Sequence, residues 1–210
     1  MIDRRLLPLA AFVIFALAGP ARGQSPPSDL ELVHSLRAGG NVIVIRHGAT
    51  NADMADTDPL NHDNIANQRQ LSAKGEAAAV ALGEAFKSIG IRVGQVYTSR
   101  FNRAYQTAKL AGFEPIEKSI DVTEGGLVVS PNENNRRAEA LRKLAATLPP
   151  AASNVVIVTH KPNILDAFGK DWFEVKEGEA TIFKPEGGSY KLLARLQMAD
   201  WPRLAKAGKN

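Results

Sequence analysis

Two histidines and two arginines of this chain follow hydrophobic runs, and proteins use these side chains to bind and transfer phosphoryl groups. The run Val42–Ile45 is followed directly by Arg46, His47 and Gly48. An arginine can bind an anionic phosphoryl group through two parallel hydrogen bonds, and a neutral imidazole nitrogen can attack its phosphorus atom. Gly48 lets the backbone turn sharply and come close to a ligand. The triplet indicates a phosphoryl site, although a surface arginine beside a structural histidine would give the same sequence pattern.

The second histidine follows another hydrophobic run, and the second arginine follows the end of a further predicted strand. Val155–Thr159 is followed by His160, and Val96–Ser99 is followed by a segment that contains Arg103. Runs of this kind predict parallel strands that are buried on both faces. The carboxyl ends of such strands meet at one edge of the sheet, where ligands bind in open α/β folds. A helix N-terminus at that edge also favours phosphate. We therefore expect both imidazoles and both guanidinium groups in one crevice.

Strands alternate with helices along the chain, which predicts an α/β fold of three layers, α/β/α, with a mostly parallel sheet and helices on both faces. Ser28 with Glu31, and Ser130 with Pro131, are typical of helix starts. The expected helices cover about residues 28–39, 72–90, 101–110, 130–148 and 164–168. Strands are expected to end near residues 46, 99, 120 and 159, and a closing hairpin should use 181–183 and 190–196, joined through 185–188. A single domain is expected over residues 24–210.

Residues 49–70 form a polar segment that lacks the periodicity of a helix or a strand. A structureless segment of this length inside a compact domain is uncommon and is often functional. His62 lies beside Asp63 and near Asp56 and Asp58, but this spacing does not match a calcium-binding loop such as the EF-hand. We therefore expect a solvated or substrate-facing loop and no metal site.

Four motifs of the chain resemble those of the histidine phosphatase superfamily, which has the phosphoglycerate mutase-like fold. RHGAT at 46–50 resembles the family's RHG motif, and YTSRFNRAYQTA at 97–108 resembles its TSxxxRAxQTA motif. QRQLSAKGEAAA at 68–79 resembles the family's LSxxGxxQA helix start, and VVIVTHKPN at 155–163 resembles its second-histidine motif. The four motifs follow the family's order, and the resemblance covers nearly all of the chain after residue 23.

The resemblance implies a catalytic role for each matching residue. His47 would be the nucleophile that forms a phosphohistidine, Arg46 and Arg103 would bind the phosphoryl oxygens, and His160 would hydrogen-bond the transferring group. Glu124 is the nearest match to the family's acid, which protonates the leaving oxygen, and it can also be read as an ordinary loop carboxylate. Other candidate proton donors lie in the polar loop: Asp53, Asp56 and Asp58. Arginines can supply the positive charge that phosphoryl transfer needs, so no metal or other cofactor is implied.

Further residues in these motifs would contact the phosphate or the substrate. Gly48 and Thr50 belong to the first motif, and Lys161 stands after the second histidine, where the family usually has a small residue. Arg100 is an additional phosphate contact or a surface residue, since Arg103 is the one that matches the family arginine. The implied function is a phosphatase that hydrolyses phosphate monoesters. A protein phosphohistidine phosphatase and a non-catalytic phosphate-ligand-binding protein of the same fold are the alternatives.

The first 23 residues have the pattern of a secretory signal peptide. Arg4 and Arg5 precede a short apolar stretch, Leu6–Ala18, and Ala21–Gly23 has small residues where cleavage would occur. The apolar stretch is shorter than the roughly 20 residues of a membrane-spanning helix. We therefore expect a periplasmic or secreted protein with no stable membrane anchor after cleavage, and an uncleaved N-terminal anchor is the alternative.

Charge and composition narrow the choice of partners. The formal net charge is +4, and removing the expected signal peptide leaves about +2, without runs of basic residues. Nucleic-acid binding therefore has little support, and a small-molecule phosphate ester is the expected partner. The chain has no cysteine, so disulfides and a lipoprotein anchor are excluded. A domain of this size can build a sufficient hydrophobic core without disulfides.

Overall fold

The β-branched runs of the sequence form the middle of a six-stranded sheet. The computed structural model describes residues 26–209. The strands are β1 (Val42–Arg46), β2 (Val93–Ser99), β3 (Ile116–Ser119), β4 (Asn154–Thr159), β5 (Ala180–Glu186) and β6 (Ser189–Leu196). Their order in the sheet is β3-β2-β4-β1-β5-β6. The first four in this order run parallel, β5 pairs antiparallel with β1, and β6 pairs antiparallel with β5. The predicted mostly parallel sheet is confirmed.

Helices cover both faces of this sheet. They are α1 (Asp29–Ala38), α2 (Ala73–Ile89), α3 (Asn102–Leu110), α4 (Pro131–Ala146), α5 (Lys161–Phe168) and α6 (Trp201–Ala207). Short 3-10 turns occur at Ile65–Asn67, Ile120–Val122, Lys170–Trp172 and Met198–Asp200. None of the helices within residues 26–209 is long and apolar enough to span a membrane. The expected signal peptide lies outside the described residues.

Successive residues of the central strands pack against opposite helix layers. Ile43 and Ile45 belong to the hydrophobic core under α1, α2, α3 and α6. Val42 and Val44 belong to the core under α4 and α5. A strand whose two faces are both covered by helices is apolar at nearly every position. The three-layer arrangement therefore explains the continuous hydrophobic run of β1.

Most helix boundaries agree with the capping residues of the sequence. Ser28 accepts a hydrogen bond from the backbone N–H of Glu31, and the Glu31 carboxylate accepts one from the Ser28 N–H. The Ser72 and Ser130 hydroxyls cap α2 and α4 by accepting from the backbone N–H of Gly75 and of Glu133. These side chains satisfy backbone N–H groups that the first turn of a helix leaves without partners.

Two element boundaries and one whole helix differ from the expectation. Helix α5 begins at Lys161, three residues early, because Pro162 takes the first turn of a helix well. The hairpin turn is only Gly187–Gly188, both with positive φ, so Pro185 lies within β5. Helix α6 was not expected, and its Trp201 is buried beside the Phe86 ring, with 5.0 Å between ring centroids.

The sheet order brings the site-bearing strand ends together. Strands β2, β4 and β1 are neighbours, and their carboxyl ends lead to Ser99, His160 and His47. The backbone N–H of His47 donates to the Thr159 carbonyl at 2.9 Å. The expectation that both histidines meet at one edge of the sheet is therefore confirmed.

Candidate active site

His47 has the hydrogen bonding and the environment of a nucleophilic imidazole. Only 2% of its surface is exposed. Its Nδ1 lies 2.8 Å from the Gly48 carbonyl oxygen. A carbonyl only accepts, so Nδ1 carries the hydrogen and Nε2 has the free lone pair. Burial, followed by electrostatic repulsion from the His160 ring and the Arg103 guanidinium, lowers the pKa of His47 well below its ordinary value. The ring is therefore neutral at physiological pH.

His160 lies beside His47, with 5.1 Å between the ring centroids, and is fully buried. Its Nε2 is 2.7 Å from Ser99 Oγ, and its Nδ1 faces Glu124 Oε1 at 3.4 Å without forming a hydrogen bond within the described chain. A carboxylate opposite Nδ1 favours the tautomer with hydrogen on Nδ1, so the Ser99 hydroxyl donates to Nε2. Burial, followed by the charge of Arg103, lowers the pKa of His160 well below the ordinary range. Nδ1–H is thus a donor available to a phosphoryl oxygen.

Arg103 lies in the first turn of α3, and its side chain is completely buried. Its Nη1 donates to Asp56 Oδ1 at 2.9 Å, and its Nη2 donates to Glu124 Oε1. The guanidinium carbon stacks 4.3 Å from the centre of the Phe101 ring. The Arg100 side chain is 44% exposed, and its Nη2 lies 3.9 Å from Asp63 Oδ1. The structure therefore places Arg103 among the histidines and Arg100 towards solvent.

Glu124 lies between Arg103 and His160, with one fifth of its side chain exposed. The preceding residue, Thr123, anchors its loop. The Thr123 hydroxyl donates to the Ser119 carbonyl at 2.7 Å, and the Thr123 carbonyl accepts from Asn163 at 3.1 Å. The carboxylate that resembled the family acid only loosely is therefore held within the cluster of candidate residues.

Arg46 approaches the same edge of the sheet from β1. Its Nη1 donates to the Val175 carbonyl at 2.8 Å, and its Nη2 lies 3.6 Å from Glu177 Oε1. Thr50 Oγ1 donates to the same Glu177 oxygen at 3.2 Å. Burial is the main cause of a lowered pKa for Arg46, and Glu177 opposes that shift. Glu177 therefore links two predicted site residues, although no sequence motif pointed to it.

Two residues predicted to contact the phosphate or the substrate, Gly48 and Lys161, contact other groups of the protein in this structure. Lys161 Nζ lies 4.6 Å from the centre of the Phe173 ring, and that ring is largely exposed. The Gly48 N–H donates to Thr107 Oγ1 at 3.0 Å. Gly48 therefore supports the site through a contact within the protein, and Lys161 is held against an aromatic ring.

The polar loop supplies two residues to the site. Asp56 accepts from Arg103, and the same Oδ1 atom accepts from the backbone N–H of Arg69 at 2.9 Å. Arg69 Nε is buried without a hydrogen-bond partner among residues 26–209. From the sequence, Asp56 was one of three reserve proton donors and a rejected metal ligand, and Arg69 was not identified, although it lies within one of the quoted motifs. In the described part of the chain, no three His, Cys, Asp or Glu side chains are arranged to hold a metal ion.

A family model describes the segment that carries most of these residues. The model of the histidine phosphatase superfamily (branch 1) matches residues 42–125, a range that includes His47, Arg103 and Glu124. The resemblance to the histidine phosphatase superfamily is confirmed. No curated protein matches the chain significantly by sequence.

Several solved structures have a similar fold. The protein histidine phosphatase SixA, complexed with tungstate, has a TM-score of 0.53 and 18% identity, covering 76% of this chain and 98% of its own. A mycobacterial glucosyl-3-phosphoglycerate phosphatase has a TM-score of 0.53 and 17% identity, with coverages of 73% and 97%. The phosphoserine phosphatase of Entamoeba histolytica, with bound 3-phosphoglyceric acid, has a TM-score of 0.50 and 16% identity, with coverages of 75% and 96%. These likenesses establish the phosphoglycerate mutase-like fold.

Proposed function

We propose that this protein is a phosphatase that hydrolyses phosphate monoesters through a phosphohistidine on His47. The observation that carries the proposal is the buried, neutral His47 ring, whose Nδ1 is held by the Gly48 carbonyl. That hydrogen bond leaves Nε2 unprotonated and fixes the ring. A nucleophile with a fixed orientation and a free lone pair suits in-line attack on phosphorus.

In the first step, His47 Nε2 attacks phosphorus and the P–O bond to the leaving group breaks. Arg103, Arg46 and the Nδ1–H of His160 stabilise the negative charge on the non-bridging phosphoryl oxygens. Preorganised donors of this kind act more strongly in a buried site than in water. The leaving oxygen takes a proton from Glu124, which the site holds beside Arg103 and His160.

In the second step, water attacks the phosphohistidine. Glu124, now ionised, accepts a proton from the water as the P–N bond breaks, so inorganic phosphate is released and His47 regains its lone pair. One carboxyl group can serve as acid and then as base because the two steps are mirror images in proton transfer.

The substrate class follows from the site and from the expected location. Small phosphate esters, including sugar phosphates, are the first candidates. The likeness to SixA, a protein histidine phosphatase, supports phosphohistidine on a protein as the second candidate. A non-catalytic binding protein is a weaker alternative, because a pure binder has no use for a nucleophile held as His47 is.

The test uses the purified chain with His47→Ala and, as control, His34→Ala, which alters an exposed histidine on α1. We expect His47→Ala to abolish hydrolysis of phosphate esters with unchanged thermal unfolding, and His34→Ala to keep full activity. Acid-labile, alkali-stable phosphate should appear on the wild-type chain during turnover. If His47→Ala keeps most of the wild-type rate, the covalent mechanism is wrong.

We further propose that the protein is exported and acts outside the cytoplasm. The support is the charge and hydropathy pattern of residues 1–23. N-terminal sequencing of protein from a periplasmic extract should find a mature chain that begins near Gln24. An intact chain beginning at Met1 in the membrane fraction would instead support an anchor.

A further inference from the structure

Carboxylates occupy the hydrogen-bond donors that the proposed function assigns to a phosphoryl group. Arg103 donates through Nη1 to Asp56 and through Nη2 to Glu124. The same Glu124 oxygen faces His160 Nδ1 at 3.4 Å. Two oxygen atoms of the protein therefore stand where donors converge, as two phosphoryl oxygens would.

The Asp56 oxygen marks one of these positions most clearly. Asp56 Oδ1 accepts from Arg103 Nη1 at 2.9 Å and from the backbone N–H of Arg69 at 2.9 Å. A buried guanidinium and a backbone N–H that meet at one oxygen form the donor arrangement that binds oxyanions. Asp56 itself is 19% exposed and belongs to the irregular loop between β1 and α2, so its side chain can leave without disrupting a helix or strand.

Among residues 26–209, no hydrogen bond or ion pair explains the position of the Arg69 side chain. Its Nε is buried with no acceptor in the described part of the chain. Its positive charge contributes to lowering the pKa of both His160 and Arg46, as expected for a guanidinium close to them. Burying a charged donor without a partner is costly, so such a group in a native protein indicates a missing acceptor.

We propose that Arg69 is a further phosphate-binding residue of this site, and that a phosphoryl oxygen displaces Asp56 Oδ1 to reach it. The incoming oxygen then accepts from Arg103 Nη1 and from the Arg69 N–H, and the Arg69 guanidinium neutralises the added charge. In the empty site, Asp56 provides the negative charge that keeps the guanidinium groups compensated. The inference rests on the proposed function only for the location of the phosphoryl group.

Direct binding of inorganic phosphate, measured by calorimetry, tests this inference without turnover. We expect Arg69→Gln to weaken phosphate binding about 10- to 100-fold, the loss typical of one or two charge-assisted hydrogen bonds. Arg69→Lys should recover part of that affinity, because it restores the charge but not the planar fork. Arg92→Gln removes an exposed arginine near the opposite edge of the sheet and should leave the affinity unchanged.

A structural role for Arg69 predicts a different pattern. The hydrogen bond to Asp56 comes from the Arg69 backbone, so the side-chain variants retain it, and they should unfold at a temperature no lower than that of the wild type. Arg69→Gln with wild-type phosphate affinity would overturn the proposal. So would equal weakening by Arg69→Gln and Arg92→Gln, since that pattern reports net charge alone.

Asp56→Asn tests the displacement separately. The amide keeps an acceptor oxygen of the same shape but removes the charge that competes with phosphate. We expect this variant to bind phosphate several-fold more tightly than the wild type, and unchanged or weaker binding would contradict displacement. Phosphate binding that depends on Arg69 in a chain that hydrolyses no ester would refute the proposed function and leave this inference standing. If hydrolysis depends on His47 but the Arg69→Gln variant binds phosphate as the wild type does, the proposed function stands and this inference is refuted.

Discussion

Replacing Glu124 by glutamine should separate proton donation from phosphate binding. The carboxylate lies beside Arg103 Nη2 and 3.4 Å from His160 Nδ1, so the side chain can reach both the phosphoryl group and the leaving oxygen. Glu124→Gln preserves the shape and one acceptor oxygen towards Arg103. The amide can neither donate the proton that a protonated Glu124 would supply nor carry the negative charge of the ionised side chain.

The loss of the proton donor should slow hydrolysis, whereas the loss of the negative charge should strengthen phosphate binding. Without its general acid, an enzyme typically loses about 10²–10⁴-fold in rate when the leaving group is a poor one. At the same time, a carboxylate charge disappears from a position about 4 Å from the incoming phosphoryl oxygens, where like charges repel by about 1 kcal/mol in water and more in a protein. Glu124 is only 20% exposed, so the repulsion in this site should exceed the value in water. Inorganic phosphate should therefore inhibit Glu124→Gln at least about fivefold more strongly than the wild type.

The assay compares kcat/KM for an alkyl phosphate and for p-nitrophenyl phosphate, with phosphate inhibition measured on each variant. p-Nitrophenolate leaves without protonation, so its hydrolysis should change little, and hydrolysis of the alkyl ester should fall about 10²–10⁴-fold. Glu84→Gln, an exposed position on α2, is the matched control and should behave as the wild type.

Two outcomes would refute the assignment of Glu124 as the acid. Equal losses on both substrates would mean that Glu124 positions the phosphate or its loop. No loss on either substrate would mean that the proton comes from another carboxyl group. The structure favours Asp56 as the next candidate, since it contacts Arg103.

The fold could be predicted because its determinants are local in sequence. Side chains such as Ser72 cap helices within three residues, and β-branched runs form strands that are buried on both faces. Helix α6 could not be predicted in this way. Its Trp201 and Leu204 are buried, but the helix has only seven residues, too few for a periodic pattern to be recognised.

The core of the site could also be predicted, because its residues follow strands whose ends must meet. His47 and His160 occupy positions that the order of a parallel α/β sheet brings together, and Arg103 lies at the helix start that follows the neighbouring strand. This placement depends on secondary structure and strand order alone.

The polar contacts made by loops could not be predicted. Asp56 meets Arg103 across 47 positions of sequence, and Thr50 meets Glu177 across 127. Such pairs have no periodicity, and any of several aspartates in the 49–70 loop could have made the first contact. Arg69 was overlooked for a related reason, since neighbouring residues in its motif explained the helix start without it.

Three further predictions follow from the site and its surroundings. Hydrolysis should not diminish in EDTA, because guanidinium groups supply the positive charge; loss on chelation, restored by a divalent ion, would contradict this. Unfolding exposes His47 and His160, which then bind protons near pH 6.5, whereas the folded rings stay neutral, so the free energy of unfolding should fall below that pH by up to about 1.4 kcal/mol per unit for each ring. Denaturant titrations between pH 7.5 and 5.5 should show a shallower slope in His160→Ala. Finally, a methyl group at Gly75 would collide with the Ala49 carbonyl beside the site, and one at Gly83 would collide with a backbone carbonyl remote from it. Both alanine variants should lose about 1–3 kcal/mol of stability. Only Gly75→Ala should lose activity per folded molecule, because only this substitution moves the loop that holds His47. Equal activity per folded molecule in the two variants would refute that coupling.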